Sequence, residues 1–437
     1  MAIEYLKQAQ KTAATGEDDV RDRTEELLAR IERGGEDVAR ECAAELDGWT
    51  GDIVVSDEMF DRAEQSIPDA LKRDINLAHD NVRRFAEAQS KTLTGMQLEV
   101  SPGLIAGQRQ IPVTTAGCYV PGGRYSHVAS AVMTVTTAKV AGVENIVACS
   151  PPRPDVGIAP AILYTLKLCG ADRVLNLGGV QGIAALTYGL FGAPPADILV
   201  GPGNQYVAEA KRLLFGRVGI DMFAGPTETM VIADASADAE IVAWDLVGQA
   251  EHGYNSPVWL IALDRALAER VIKVAPAMID SLPGVNGESA YAAWRDYAEV
   301  VLVDTREEAV RLSDQHASEH LQVQCEDLDW WLENLRNYGS LFLGEETTVA
   351  FGDKVSGPNH VLPTKGAARY TGGLSVGKFM KTVTWQRMSR DANRTIGGAT
   401  ARISRLEGME GHARTAGIRL EKWFPGEKFE LEVKGDA

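Results

Sequence analysis

From about residue 118 onward, short apolar runs rich in β-branched residues alternate with segments of helical patterning. The runs lie at 146–149, 174–177, 198–200, 230–232, 258–262 and 300–303, and the intervening helical stretches include 159–168, 207–214 and 239–249. Strand–helix alternation of this kind predicts an α/β protein with largely parallel sheets. Because the strands read as near-continuous apolar runs, both faces of each sheet are expected to be covered. Two blocks stand out, roughly 119–228 and 229–345, and each is long enough to form its own sheet.

The flanking regions read differently. Residues 1–100 have helical character: Leu71, Ile75, Ala78, Val82 and Phe85 recur at spacings of four and three, which puts them on one helix face with Arg73, Asp80 and Arg83 outward. Ser56 ahead of Asp57 and Glu58 is an expected N-cap. After residue 365 glycines cluster, and an Arg- and Glu-rich helical tail runs to about 420.

The chain has 437 residues, enough for two or more domains, and a formal net charge of -17. That acidic excess argues against sequence-independent nucleic-acid binding, which needs a basic surface. Cys42, Cys118, Cys149, Cys169 and Cys325 are scattered, odd in number and without a C-x-x-C pair. This usage fits a reducing compartment and argues against a disulfide framework or a thiolate zinc site. Neither an apolar signal core nor a run long enough to span a membrane is present, so a cytoplasmic protein is expected.

Candidate chemistry concentrates around histidines. Gln249 and His252 are three apart at the end of a predicted helix, so their side chains can meet at one point, as metal ligands or as a polar helix end. Asp353 and His360 bracket a Gly/Pro loop; that pair suits metal or substrate binding, and equally suits turn chemistry. Glu319 and His320 are both competent acid–base groups, although adjacent side chains usually point apart. Glycine-rich turns at 178–182 and 201–204 follow apolar strands, which would let backbone amides approach a phosphate. Neither is a G-x-G-x-x-G fingerprint. The stretch 372–379 nearly matches a phosphate-binding Walker loop, but Phe379 replaces the hydroxyl, so the match reads as chance.

Taken together, the stretches Cys118-Tyr-Val-Pro-Gly-Gly123, Gly178-Gly-Val-Gln181, Gly201-Pro-Gly-Asn204, Asp245-Leu-Val-Gly-Gln-Ala-Glu-His252, Glu319-His320 and Gly357-Pro-Asn-His-Val-Leu-Pro-Thr364 make the chain resemble the histidinol dehydrogenase family from about residue 20 to 420. The resemblance implies two incomplete Rossmann-like α/β domains, one inserted in the other: 21–118 with 229–373, and an inserted NAD-binding domain 119–228. It also implies small helical terminal segments, 1–20 and 374–437, that form a homodimer whose subunits share the active site.

The implied reaction is a zinc-dependent oxidation of a primary alcohol to a carboxylate, through an aldehyde, with two NAD. Carried over motif by motif, Gln249, His252, Asp353 and His412 would bind zinc, Glu319 and His320 would be catalytic, and Tyr119, Gln181 and Asn204 would hold NAD. Thr227, His360 and Glu407 would line the substrate site, with Thr227 standing where the family usually has serine.

Departures at Arg124-Tyr125-Ser126-His127, at 351–354 and at 367–374 look like a branch that oxidises (R)-2,3-dihydroxypropane-1-sulfonate to (R)-3-sulfolactate. Arg124, His127 and Arg369 would add cationic donors suited to an anionic substrate, and the arginines could equally serve a cofactor phosphate or a surface carboxylate. L-Histidinol is the alternative substrate, and an inactive paralogue acting as a binding dimer is a further reading.

Overall fold

The computed structural model describes residues 3–11, 18–122, 126–223 and 225–432. The chain forms two compact units, residues 1–90 with 112–379, and residues 91–111 with 380–437.

The first unit holds two sheets. In one, the strands run Glu4–Lys7, Glu299–Leu302, Val258–Ala262, Thr229–Ala233, His320–Gln324 and Ser340–Leu343 across the sheet. All neighbours are parallel except Glu4–Lys7, which pairs antiparallel at the edge. In the other, the order is Arg173–Asn176, Asn145–Ser150, Thr115–Tyr119, Ile198–Val200 and Gly219–Ile220, all parallel. The α/β class with mostly parallel sheets is therefore as expected, and each of the two apolar blocks makes its own sheet.

Burial follows the strand period. Val231, Ala233 and Leu260 pack beneath Val242, Leu246 and Val271 on one face of the larger sheet. Met230, Ile232, Leu321 and Val323 pack against Leu312 and Trp331 on the other. Successive side chains thus feed two cores, which is why these strands carry no polar alternation.

The second unit pairs the strands Met380–Met388, Leu104–Pro112 and Met96–Ser101 with the helices Ala392–Leu406 and Glu410–Trp423. Small residues, Ala401, Ala413 and Ala416, let the two helices approach closely. Among the described residues no helix is long and apolar enough to cross a membrane.

Several local expectations change. Where it is described, the N-terminal segment 1–20 is helical only from Asp18, where the helix Asp18–Cys42 begins; Glu4–Lys7 is an edge strand, held by hydrogen bonds that no pattern within four residues can announce. Residues 96–100, expected to be helical, are instead strand, the first arm of a β-hairpin that runs to residue 112, and the C-terminal tail includes a nine-residue strand, Met380–Met388. Ser56 does cap Asp57–Ser66, its hydroxyl accepting from Met59 N at 3.3 Å. In the helix Asp69–Thr92, Ile75, Ala78 and Val82 are buried as expected, but Leu71 and Phe85 at the stripe's ends are 39% and 41% exposed. The near-Walker stretch ends in a fully buried Phe379, a core residue.

The turn after Ile198–Val200 depends on one glycine. Gly201 has φ of 115°, and a Cβ there would collide with the carbonyl oxygen of Tyr119 on the neighbouring strand. Its amide donates to the buried Asp221 carboxylate at 2.7 Å, and its carbonyl accepts from Lys211 at 3.0 Å. Gly201→Ala is therefore expected to destabilise the protein by about 2–4 kcal/mol, through strain and overpacking together. Urea denaturation would read this as a lower midpoint; an unchanged midpoint would mean that the turn tolerates a side chain.

Candidate active site

The helix Ala239–Ala250 runs back along the six-stranded sheet, so its C-terminal end lies at the amino ends of the parallel strands. Asp238 caps its start through Glu240 N and Ile241 N. Asp245, Gln249 and His252 follow at spacings of four and three, on one face. The sheet supplies Thr229 and His320, which are register partners at the first positions of adjacent strands. Gln249 is buried, with Thr229 Oγ1 at 3.5 Å from its Oε1.

Glu319 and His320 face the same neighbour because Glu319 precedes the strand and escapes its alternation. The amide of Glu228 donates to Glu319 Oε2 at 3.0 Å, and the carbonyl of Glu228 accepts from His320 Nδ1 at 3.1 Å. That second bond fixes the tautomer: Nδ1 carries a proton and Nε2 is the working atom. Asp353 Oδ1 lies 3.5 Å from His320 Nε2, and Asp353 Oδ2 lies 3.8 Å from His252 Nε2.

Charge follows from burial and proximity. Burial pushes the Glu319 carboxyl up to about 8, against the pull of His320. Burial disfavours a charged His320, but Glu319 and Asp353 outweigh it and hold the imidazole up to about 9. Burial likewise opposes ionisation of Asp353, yet His320, His360 and His252 keep it well below the usual carboxylate range. Desolvation pushes His252 and His360 down. His360 donates from Nδ1 to the carbonyl of Asp353 at 2.7 Å, and Ser130 Oγ lies 3.2 Å from its Nε2. A cavity of about 240 Å³, lined in part by His320, Asp353 and His360, opens beside these groups.

Asp353 is placed by a polar tie that the sequence reading did not single out. Asp245 accepts from Gln322 Nε2 at 2.6 Å, Gln324 Nε2 at 2.7 Å and Thr348 Oγ1 at 2.8 Å. It thereby joins the helix of Gln249, the strand of His320 and the N-cap of Val349–Lys354, the helix that carries Asp353. The spacing of Asp245 from Gln249 and His252 was the available signal. Glu228 was missed for a different reason: it acts mainly through its main chain, and its own carboxyl accepts from Lys365 N at 2.8 Å.

The donors suit a divalent ion of borderline softness. His252 Nε2 and Asp353 Oδ2 lie 3.8 Å apart, Gln249 stands three residues before His252, and His320 Nε2 is buried without a hydrogen-bond partner, so amide oxygen, imidazole nitrogen and carboxylate oxygen are the donors on offer. Among the described residues no three His, Cys, Asp or Glu side chains form a metal site by themselves. His412 and Glu407 belong to the second unit, exposed on and just before the helix Glu410–Trp423.

The cofactor candidates sit at the carboxyl edge of the five-stranded sheet. Thr115–Tyr119 lies between strands that follow it on either side, the switch point where such sheets bind ligands. Tyr119 OH accepts from Gly179 N at 3.1 Å, and Gln181 Nε2 donates to Asp47 at 2.9 Å. Asp47 also accepts from Gly178 N at 3.0 Å. The turn at 178–182 thus has amides already bonded within the protein, unlike the open phosphate cradle its glycines suggest. Asn204 Oδ1 caps the next helix through Tyr206 N and Val207 N.

Thr227 is half-buried, next to Glu228. Arg369 is exposed, and its guanidinium donates to the carbonyls of Gly366 and Gln315. Arg124 lies outside the described residues. Cys118 is fully buried, and burial pushes its thiol up to about 12, so it is a core residue rather than a nucleophile.

The Histidinol dehydrogenase family profile matches residues 10–420. The chain is 62% identical over 435 residues to sulfopropanediol 3-dehydrogenase of Ruegeria pomeroyi, covering 100% of both chains. It is 39% identical to histidinol dehydrogenase of Thermus thermophilus, over 90% of this chain and 93% of that one. The crystal structure of histidinol dehydrogenase from Elizabethkingia anophelis superposes with a TM-score of 0.89 at 31% identity, covering 94% of each chain. The chain belongs to the histidinol dehydrogenase family.

Proposed function

We propose that the protein is a zinc- and NAD-dependent dehydrogenase that oxidises the primary alcohol of (R)-2,3-dihydroxypropane-1-sulfonate to (R)-3-sulfolactate. The observation that carries the chemistry is the buried group Glu319, His320 and Asp353 at the end of the helix bearing Gln249 and His252. The substrate rests on the 62% identity to sulfopropanediol 3-dehydrogenase.

In the neutral ring, His320 Nε2 is the atom that takes the hydroxyl proton, with Nδ1 anchored on the Glu228 carbonyl to keep the ring in place. Glu319 and Asp353 flank the ring and stabilise the imidazolium that results. Burial raises the proton affinity of Glu319, so its carboxylate is a stronger base than an exposed one for drawing a proton from water in hydration of the aldehyde. Gln249, His252 and Asp353, with His412 of a partner subunit, would hold zinc, and Tyr119, Gln181 and Asn204 would hold NAD. Zinc would fix and polarise the alcohol oxygen, and NAD would accept hydride in both steps. Thr227, His360 and Glu407 would line the alcohol site. Exposed Leu98, Val100, Ile403 and Ile418 in the second unit give a homodimer apolar surface to cover.

The test is NADH production by zinc-loaded protein with the sulfonated diol and, separately, with L-histidinol. Two NADH per diol and none with L-histidinol are expected. Turnover of L-histidinol alone would replace the proposed substrate, and no NADH with either would refute the proposed activity.

A further inference from the structure

On the reading that Tyr119, Gln181 and Asn204 hold NAD, we propose that Asp47 receives the hydroxyls of the adenosine ribose and thereby makes the protein select NAD over NADP.

The five-stranded sheet supplies the frame. Numbered along the chain, its strands stand third, second, first, fourth and fifth across the sheet. That is the order of dinucleotide-binding sheets, in which a carboxylate near the end of the second strand ordinarily takes the adenosine ribose hydroxyl. Here the second strand, Asn145–Ser150, runs straight into Pro151 and carries no carboxylate at that end. Asp155, in the loop that follows, is exposed in the turn closed by the main-chain bonds between Arg153 and Gly157 at 2.8 and 2.9 Å.

Asp47 comes to this place from outside the sheet. Residues 53–55 lie along the third strand, Arg173–Asn176: Val55 N donates to the carbonyl of Val174 at 2.9 Å, and Asn176 N to the carbonyl of Ile53 at 2.7 Å. Asp47 ends the helical segment Ala43–Asp47 just before this stretch. Its Oδ2 accepts from Gly178 N at 3.0 Å and from Gln181 Nε2 at 2.9 Å. Gly178 is hemmed in by Asp47 and Pro151 together, since a Cβ there would lie 2.8 Å from Asp47 Oδ1 and 2.9 Å from Pro151 Cβ. The carboxylate absent from the end of the second strand therefore stands beside it, supplied by another segment.

These bonds decide what a ligand meets. With Oδ2 taken, Asp47 Oδ1 and Gln181 Oε1 have no donor among the described residues, and Asp47 has no ion-pair partner there. Arg153, the cation of the neighbouring loop, donates to Ser126 Oγ at 3.3 Å. Two acceptors and a negative charge suit the paired hydroxyls of a ribose, which are donors. They repel a phosphate, which carries charge of the same sign. Of the two riboses of a dinucleotide, position selects the adenosine one. Gly178 follows the third strand, two strand spacings or about 10 Å from the first. The helical turn after the first strand carries Ser130, whose Oγ meets His360 Nε2 of the alcohol site at 3.2 Å. The nicotinamide, which must reach the alcohol, belongs at that near end and the adenosine at the far one. NADP carries its additional phosphate on the adenosine ribose, where Asp47 would oppose it.

The experiment uses zinc-loaded full-length protein and its Asp47→Asn and Asp47→Ala variants. Calorimetry measures binding of NAD, NADP and NAD lacking the adenosine 2′-hydroxyl, and kcat and KM for each cofactor are taken with the sulfonated diol. The parent should bind the deoxy cofactor about 10-fold or more weakly than NAD, the usual worth of a hydrogen bond to a charged group. In Asp47→Asn the preference for NAD over NADP should fall about 10- to 100-fold on the same grounds, and KM for the diol should not move. Equal weakening of NAD and NADP would give Asp47 a merely structural role through Gln181, and an unchanged preference would remove it from the site; either result overturns the proposal. Should both variants fail to fold, the parent decides: weaker binding of the deoxy cofactor supports the proposal, and equal binding overturns it. A parent that binds NAD and leaves the sulfonated diol unoxidised refutes the assigned reaction alone, and the binding series still decides the role of Asp47. A parent that binds none of the three overturns the cofactor reading and the proposal together.

Discussion

Replacing His320 with alanine is expected to cut NADH production by roughly 10²–10⁴-fold, the usual contribution of a positioned acid–base group. The protein should still fold and still take up zinc as the parent does, because His320 is not among the proposed metal ligands. The effect is large because the neighbouring acid–base groups are engaged in other contacts. Glu319 Oε2 is committed to the amide of Glu228 at 3.0 Å, and His360 uses Nδ1 on the Asp353 carbonyl while Ser130 meets its Nε2. Single-turnover NADH formation and zinc content, measured on the same sample, check this. Turnover within a few-fold of the parent would remove His320 from the chemistry.

Asp353→Ala is the second severe change, and it should act through the metal. Asp353 is 8% exposed and its carboxylate is held ionised by the imidazoles around it. Removing it deletes a proposed ligand and leaves His320 Nε2 and His252 Nε2 without the charge they face. Outer-shell partners of metal ligands are typically worth 10- to 100-fold in affinity, so a ligand itself should cost about 100-fold or more. Competition with a chromophoric chelator would measure this, alongside loss of NADH production. Asp353→Asn keeps the volume and separates charge from packing. Zinc affinity unchanged in both variants would take Asp353 out of the metal site.

The two predictions rest on residues that were visible in the sequence to different degrees. Gln249 and His252 were legible because a helix places residues three apart on one face, whatever surrounds it. Glu319 and His320 were ambiguous as a dipeptide. They work together because the strand begins at His320, so both can bond the main chain of Glu228, a residue 91 positions before Glu319. Glu228, Asp245 and Ser130 act through hydrogen bonds to distant segments, and sequence spacing carries no trace of such partners.

By itself the sequence determined the α/β class, the two blocks that become sheets, and the helix face carrying Gln249 and His252. Each of these follows from local periodicity and from the demand that apolar strands be covered on both faces. Strand order, the edge strand Glu4–Lys7, and the meeting of Asp353 with His320 at the amino ends of the strands were decided only in three dimensions. These features depend on which segments pair and what lies opposite, and that is set by packing between residues far apart in the chain.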